Sequence, residues 1–300
     1  MDLPLGADAD ARKACPVTLD PAWPASAAFA VVAAECTEHW RTNAGLLLES
    51  RAMPHLHQTR VGIRRLRSTF SLFRPVLRDV PGAFVVSHRV RALAQPFGAA
   101  RDLDVLLSGP LVDDLDHAQV TRLAAEREAA YDVVLAILRS PDWADAVRSV
   151  HGLALLAPWP GVADPPVREL AAQSLDKRWE RVVGHVDHLA QMPPQGRHRV
   201  RIEAKKLRYG CEFFASLYSD LSAGAGTGGT HDAREVIGPL DFASRVEQVQ
   251  TALGAVNDHD VADGLLRSVG SAAPAVDEHR LVDDAVDAVR TLATLEPFWR

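Results

Sequence analysis

The sequence predicts an all-α protein, and three observations carry that reading. Segments of roughly 15 to 30 residues rich in Ala, Leu, Arg, Glu and Val alternate with short breakers containing Pro or Gly, the rhythm of helices joined by turns. Strict two-residue alternation is scarce, so helical periodicity is the better template nearly throughout. Two motifs, a basic one and a Gly/Asp one, each occur twice and in the same order. Together these specify two copies of one four-helix unit with some extra helix.

Taken along the chain, helices are expected over 24–50, 55–78, 82–107, 114–139, 142–156, 166–190, 196–219, 234–268 and 277–296. The breakers between them are Met53-Pro54, Val80 to Gly82, Gly109-Pro110, Ser140-Pro141, Pro158 to Pro166 and Pro193 to Gly196. Proline removes a backbone donor and fixes φ, and glycine tolerates the positive φ that ends helices. The stretch Ala157 to Pro166 divides a domain spanning 25–300 into an N-terminal bundle, 25–157, and a C-terminal bundle, 166–300. Residues 1–24 carry several prolines and small side chains and are expected either to be disordered or to pack across the bundle. The Gly-rich 222–230 reads as a mobile loop; no strand precedes it and no Gly-Lys-Ser/Thr follows, so it is not a phosphate-binding P-loop.

Composition narrows the class. The 300 residues are 47% hydrophobic and 24% charged, ordinary for a globular protein and wrong for a disordered one. No run approaches the length of a transmembrane helix, and residues 1–16 lack the basic and apolar regions of a secretory signal. Cys15, Cys36 and Cys211 are widely spaced and odd in number, which argues against a disulfide framework and for a reducing cytoplasm. The formal net charge of −6 argues against a protein that coats polyanions indiscriminately, but a field depends on where charges sit.

The basic motif is His57-Gln-Thr-Arg60-Val-Gly-Ile-Arg64-Arg65-Leu66-Arg67, and 141 residues later His198-Arg-Val-Arg201-Ile-Glu-Ala-Lys205-Lys206-Leu207-Arg208 repeats it. The second motif, Gly98-Ala-Ala-Arg101-Asp102-Leu-Asp104-Val105, returns 156 residues on as Gly254-Ala-Val-Asn257-Asp258-His-Asp260-Val261, and Arg89 aligns with Arg245 in that register. On a helical wheel Arg60, Arg64 and Arg67 share an arc beside the core arc of Ile63, Leu66, Phe70 and Phe73. In the second copy His198, Arg201, Lys205 and Arg208 lie beside Val200, Leu207, Cys211, Phe214 and Tyr218, which makes Cys211 a buried apolar residue rather than a nucleophile.

Like charges at i, i+4 weaken a bare helix. A single stripe would read as a solvated face or as pairing with Asp102, Asp104, Asp258 and Asp260; two stripes at matching positions point instead to a cationic groove. Its natural ligand is a polyanion, with Arg gripping phosphate bidentately and Lys acting as a point charge. His57 and His198 lack the second ligand at i+3 or i+4 that a metal would want, and the surrounding cations oppose one, so they are read as hydrogen-bond donors to phosphate or within a network. Gly98 and Gly254 are read as permitting close helix approach, and Asp102 and Asp258 as orienting arginines.

These motifs resemble the CHAD family, the conserved histidine α-helical domain, from roughly residue 25 to the C-terminus. The resemblance rests on the His57 to Arg67 motif, Gly98-x-x-Arg101-Asp102-Leu-Asp104-Val105, Lys205-Lys206-Leu207-Arg208-Tyr209 and Leu253-Gly254-x-x-Asn257-Asp258. It implies two four-helix bundles related by pseudo-twofold symmetry, with basic side chains lining a central cleft. It also implies binding of inorganic polyphosphate and association with polyphosphate granules in the cytoplasm. The residues it points to are His57, Arg60, Arg64, Arg65, Arg67, Arg89, Arg101, His198, Arg201, Lys205, Lys206, Arg208 and Asn257. Some family members are fused to a triphosphate-tunnel domain; no Glu-x-Glu-x-Lys strand appears here, which removes the usual reason to expect phosphohydrolase activity. This sequence departs from the pattern at Gly62, a poor helix former inside the first motif, in the Gly-rich stretch, and at Asn257 where the first repeat has Arg101.

The expectation is therefore a non-catalytic polyphosphate-binding protein, with no metal, no cofactor and no membrane partner. Nucleic acid is disfavoured as a ligand, because the chain is acidic elsewhere and no aromatic side chains interleave the stripes. A metal-dependent phosphohydrolase or kinase would call on Asp102/Asp104 or Asp258/Asp260, but at i, i+2 on a helix these point about 200° apart.

Overall fold

The periodic segments fold as helices. The computed structural model describes residues 11–219 and 237–300, and among these the only β-type pairing is an isolated bridge between Pro24 and Pro166. The N-terminal half contains α1 (Ala25–Ser50), α2 (Met53–Leu72), the single turn α3 (Arg74–Leu77), α4 (Ala83–Leu93), α5 (Pro96–Leu107), α6 (His117–Leu138) and α7 (Pro141–Leu155). The C-terminal half contains α8 (Val167–Val183), α9 (Pro194–Phe214), α10 (Pro239–Ser268) and α11 (Glu278–Ala293). Short 3-10 segments sit at Pro110–Asp114, Val186–Gln191 and Ala215–Tyr218.

Sequence chemistry sets these boundaries. Pro54, Pro96, Pro141, Pro194 and Pro239 sit in the first turns of their helices, where the missing N–H costs nothing. Asp116 and Gln119 close a capping box at the start of α6, Ser140 caps α7 and Asp277 caps α11. The segment expected as one helix over 82–107 is two, because Pro96 lacks the donor a continuous helix would need and its ring crowds the turn before it. The position 156 residues on is Ala252, and there α10 runs unbroken. The expected helices 55–78, 166–190 and 196–219 likewise end early and pass into a short turn or 3-10 segment.

The basic helices α2 and α9 begin 141 residues apart, the offset of their motif. Each packs against the helix before it, α1 or α8, and the helices after them follow the same order, α5 against α6 and α10 against α11. Between the halves α2 meets α9 and α5 meets α10. One core runs through both halves, with Phe29, Trp40, Leu66, Phe73, Trp179, Leu207, Phe214 and Phe242 all within it. A second, smaller cluster of Leu103, Leu106, Leu123, Leu266 and Val269 joins α5, α6 and α10. Both Cys36 and Cys211 are fully buried, and Cys15 is exposed.

The N-terminal segment, as far as it is described, packs across the bundle. Val17 and Leu19 are buried, Arg12 pairs with Glu35 and Glu38 on α1, and the Leu19 N–H donates to Ser216 Oγ at 2.8 Å. The Pro-rich 157–166 is also anchored. Trp159 is buried against Phe29, and Asp164 accepts from the Ser26 N–H at 2.9 Å at the start of α1. The Gly-rich stretch 222–230 lies outside the described residues.

Gly62 occupies the closest approach of α2 to α1. A Cβ there would lie 2.8 Å from both Cα and N of Trp40. The residue that weakens the helix in isolation is the one that lets the two helices touch.

Candidate functional site

A half-buried cationic cluster forms where α2, α5, α9 and α10 converge. The arc carried by α2 places His57, Arg60, Arg64 and Arg67 along one side, about 10 Å from Arg60 to Arg67 at 1.5 Å per residue. Arg201 and Lys205 on α9 approach from the other side. Arg101 and Asp102 come from α5, and Asp258 from α10. Arg64 Nε donates to Tyr209 Oη at 2.7 Å, which ties the two basic helices together inside the cluster. Tyr209 is buried, and a buried phenol needs such a partner.

The electrostatics are those of crowded like charges. Burial, then Arg201 and Arg64, bring the Lys205 ammonium down to about 7, against some opposing help from Asp258. Burial, then Arg101, Arg64 and Arg60, push the His57 imidazole down to about 4. His57 is therefore neutral at pH 7 without a ligand and offers an N–H rather than a charge. Burial and Arg64 also lower Arg60, although guanidinium stays protonated. Burial raises the Asp102 carboxyl in spite of Arg60, and the Asp258 charge adds to that rise. The two aspartates from the two repeats are thus close enough to sense each other.

Among the described residues, Arg60, Arg64, Arg67, Arg101 and Lys205 have no carboxylate within 4 Å. Arg201 does, donating to Asp258 Oδ1 at 3.2 Å. The two motif glycines make room for arginines rather than for helix backbones. A Cβ on Gly98 would meet Arg60 Nη1 at 3.4 Å, and one on Gly254 would meet Arg201 Nη2 at 3.0 Å. Each repeat thus lays its first motif arginine across the glycine of its second motif. Asp258 holds Arg201 directly, whereas Asp102 acts on Arg60 through its field.

Several residues expected at the site are elsewhere. Arg65 is only 5% exposed, pairs with Glu212 and stacks over Phe213 at 4.7 Å. Lys206, its counterpart, pairs with Glu203 at 2.7 Å, and Glu203 also holds the buried Arg178, which donates onward to the Ser71 carbonyl. Both lie about 100° around their helices from the stripe, on the side where the halves join. Arg208 is on the stripe but is neutralised by Glu212 at 3.1 Å and Glu247 at 3.2 Å. His198 is exposed and, with Asn257, Arg197, Leu253 and Asp260, lines a neighbouring depression; Asn257 also donates to Asp258 Oδ1 at 3.3 Å, the oxygen that holds Arg201. Arg89 is half-buried on α4, and among the described residues its side chain makes no hydrogen bond or ion pair to the cluster. Asp104 faces away from Asp102; it is 1% exposed, accepting from Arg127 at 2.7 Å and Tyr131 at 2.8 Å. Among the described residues no group of three or more His, Cys, Asp or Glu side chains converges as a metal would need.

Two residues belong with the site that motif reading passed over. Tyr209 ends the Lys-Lys-Leu-Arg-Tyr stretch, and its signal was an aromatic side chain on the basic arc, about 40° from Lys205. Arg91, exposed on α4, lies close enough to Arg67 to be, after burial, the first charge depressing it. Its signal was its place two residues past Arg89, in line with Glu247 of the second repeat.

The described residues form an all-helical protein in which cations from α2, α5 and α9 gather without a carboxylate within 4 Å. A model of the CHAD domain matches residues 31–267, and the chain belongs to that family. Its structure is similar to the crystal structure of the CHAD domain from the plant Ricinus communis, at 26% sequence identity and a TM-score of 0.67, covering 94% of this chain and 90% of that one. It also shares its fold with PptA from Streptomyces chartreusis, at 16% identity and a TM-score of 0.56, covering 90% and 97%. A comparison with curated protein sequences finds no match. Among the described residues no helix is long and apolar enough to cross a membrane.

Proposed function

We propose that the protein binds inorganic polyphosphate without catalysing a reaction on it, and that it does so in the cytoplasm in association with polyphosphate granules. The observation that carries this reading is the set of half-buried cations with no carboxylate partner among the described residues, Arg60, Arg64, Arg101 and Lys205, on three helices facing one space. Holding such charges together without counter-ions costs free energy that a polyanion relieves. Linear polyphosphate supplies closely spaced charge, needs no base recognition, and suits both the bidentate arginines and the compact lysine. Membership of the CHAD family supports the same ligand. The aromatic ring in the cluster, Tyr209, is buried and engaged with Arg64 rather than open for base stacking, which favours polyphosphate over nucleic acid.

The test is long-chain polyphosphate binding by the wild type and by Arg64→Glu/Lys205→Glu, each measured across a salt series. The wild type is expected to bind with steep salt dependence, and the double variant to lose more than about tenfold in affinity and part of the salt slope. Equal affinity in the two proteins would overturn the assignment. Release of orthophosphate from polyphosphate with Mg²⁺, abolished by Asp102→Asn, would overturn the non-catalytic part.

A further inference from the structure

The two repeats are alike in backbone order and opposite in charge at one end. Arg67 and Arg208 occupy equivalent positions on α2 and α9. Arg208 is closed off by Glu212 and Glu247. The residue equivalent to Glu247 in the first repeat is Arg91, at the same offset of 156 that relates Asp102 to Asp258, and the residue equivalent to Glu212 is Ser71. Where the second repeat places a carboxylate against its terminal arginine, the first repeat places another arginine. Accordingly Arg67 feels Arg91 and Arg64 as its neighbouring charges, whereas Arg208 feels Glu212 and Glu247.

We propose that the binding site is one-ended: a linear phosphate chain seated in the central cluster leaves it along the first repeat, past Arg67 to Arg91, and is excluded from the equivalent end of the second repeat by Glu247. The inference rests on the reading of the cluster as a polyphosphate site and deepens it. Arg91 then becomes a determinant of chain length. An anion of three phosphates is satisfied by the central cations, while a long chain also reaches the Arg67–Arg91 pair. At the other end, a chain would have to displace two carboxylates from Arg208 and would meet their repulsion. The exposure of Arg91 and Glu247 on helix surfaces means that changing either need not disturb the core.

The experiment measures tripolyphosphate and long-chain polyphosphate binding to the full chain, as wild type, Arg91→Glu, Glu247→Arg and Arg91→Glu/Glu247→Arg. Arg91→Glu is expected to weaken long-chain binding about tenfold or more and tripolyphosphate binding by distinctly less. It should also lower the salt slope for the long chain by about one. Glu247→Arg is expected to strengthen long-chain binding severalfold, and the double exchange to recover much of the loss by opening the other end. Equal losses for short and long anions in Arg91→Glu, or no gain in Glu247→Arg, would overturn the one-ended site while leaving the central site standing. Failure of the wild type to bind either anion would overturn both readings.

Discussion

Lys205 carries its charge against its surroundings. Burial and the flanking Arg201 and Arg64 bring it down to about 7, so above that pH the anion-free protein holds it mostly neutral. A bound phosphate supplies the missing opposite charge and raises it again, so binding takes up a proton. The sign follows: a group depressed in the free state and restored in the bound state makes affinity fall as pH rises from about 7. Calorimetry at pH 8 in buffers of different ionisation enthalpy should show uptake of up to about one proton per site. Lys205→Arg, whose guanidinium does not titrate, should abolish it. Unchanged proton uptake in that variant would place the titrating group elsewhere. At this scale the sequence was informative about angle and silent about partners. The wheel placed Arg60, Arg64 and Arg67 on one arc, and they lie along one side of the cluster. It could not show that Arg65 would meet Glu212, 147 residues away, or that Lys206 and Arg178 would share Glu203.

At the scale of elements, the contact between α1 and α2 depends on Gly62. Alanine there would gain intrinsic helix propensity of about 1 kcal/mol but drive its Cβ into the Trp40 backbone, which cannot rotate away as a side chain could. Gly62→Ala is expected to destabilise the fold by about 1–3 kcal/mol, read from the midpoint of chemical denaturation. A midpoint equal to or above the wild type's would contradict the close approach. Helix positions were legible because periodicity is strong and prolines mark the starts. The break in 82–107 was written in Pro96, but a single proline inside a periodic run was outweighed by the run. The 3-10 segments that end the long helices left no separate trace in composition. The role of Gly98 and Gly254 was legible as a need for space, but not as space for an arginine, because that depends on how Arg60 and Arg201 cross to the next helix.

Over the whole molecule, charge is segregated. The chain carries a net −6, while α2 holds no Asp or Glu and the cluster concentrates cations between the halves. On the proposed reading, net negative charge outside the cationic centre would confine polyanion binding to one place and discourage adhesion to nucleic acids elsewhere. Duplex DNA is accordingly expected to displace bound polyphosphate poorly at equal phosphate concentration. Efficient displacement would contradict that confinement. The repeated motifs were legible at fixed offsets in the sequence, but the difference between their partners was not. Glu203, Glu212 and Glu247 stand where the first repeat has Gly62, Ser71 and Arg91, and only their contacts show that the second copy is largely neutralised.

The most direct measurement is a structure of the protein with tripolyphosphate bound. Phosphate groups are expected between α2 and α9, with oxygens within hydrogen-bond reach of Arg64 and Lys205 and at least one of Arg60 and Arg101. Phosphate located only around His198 and Asn257, or only on the outer surface, would contradict that placement.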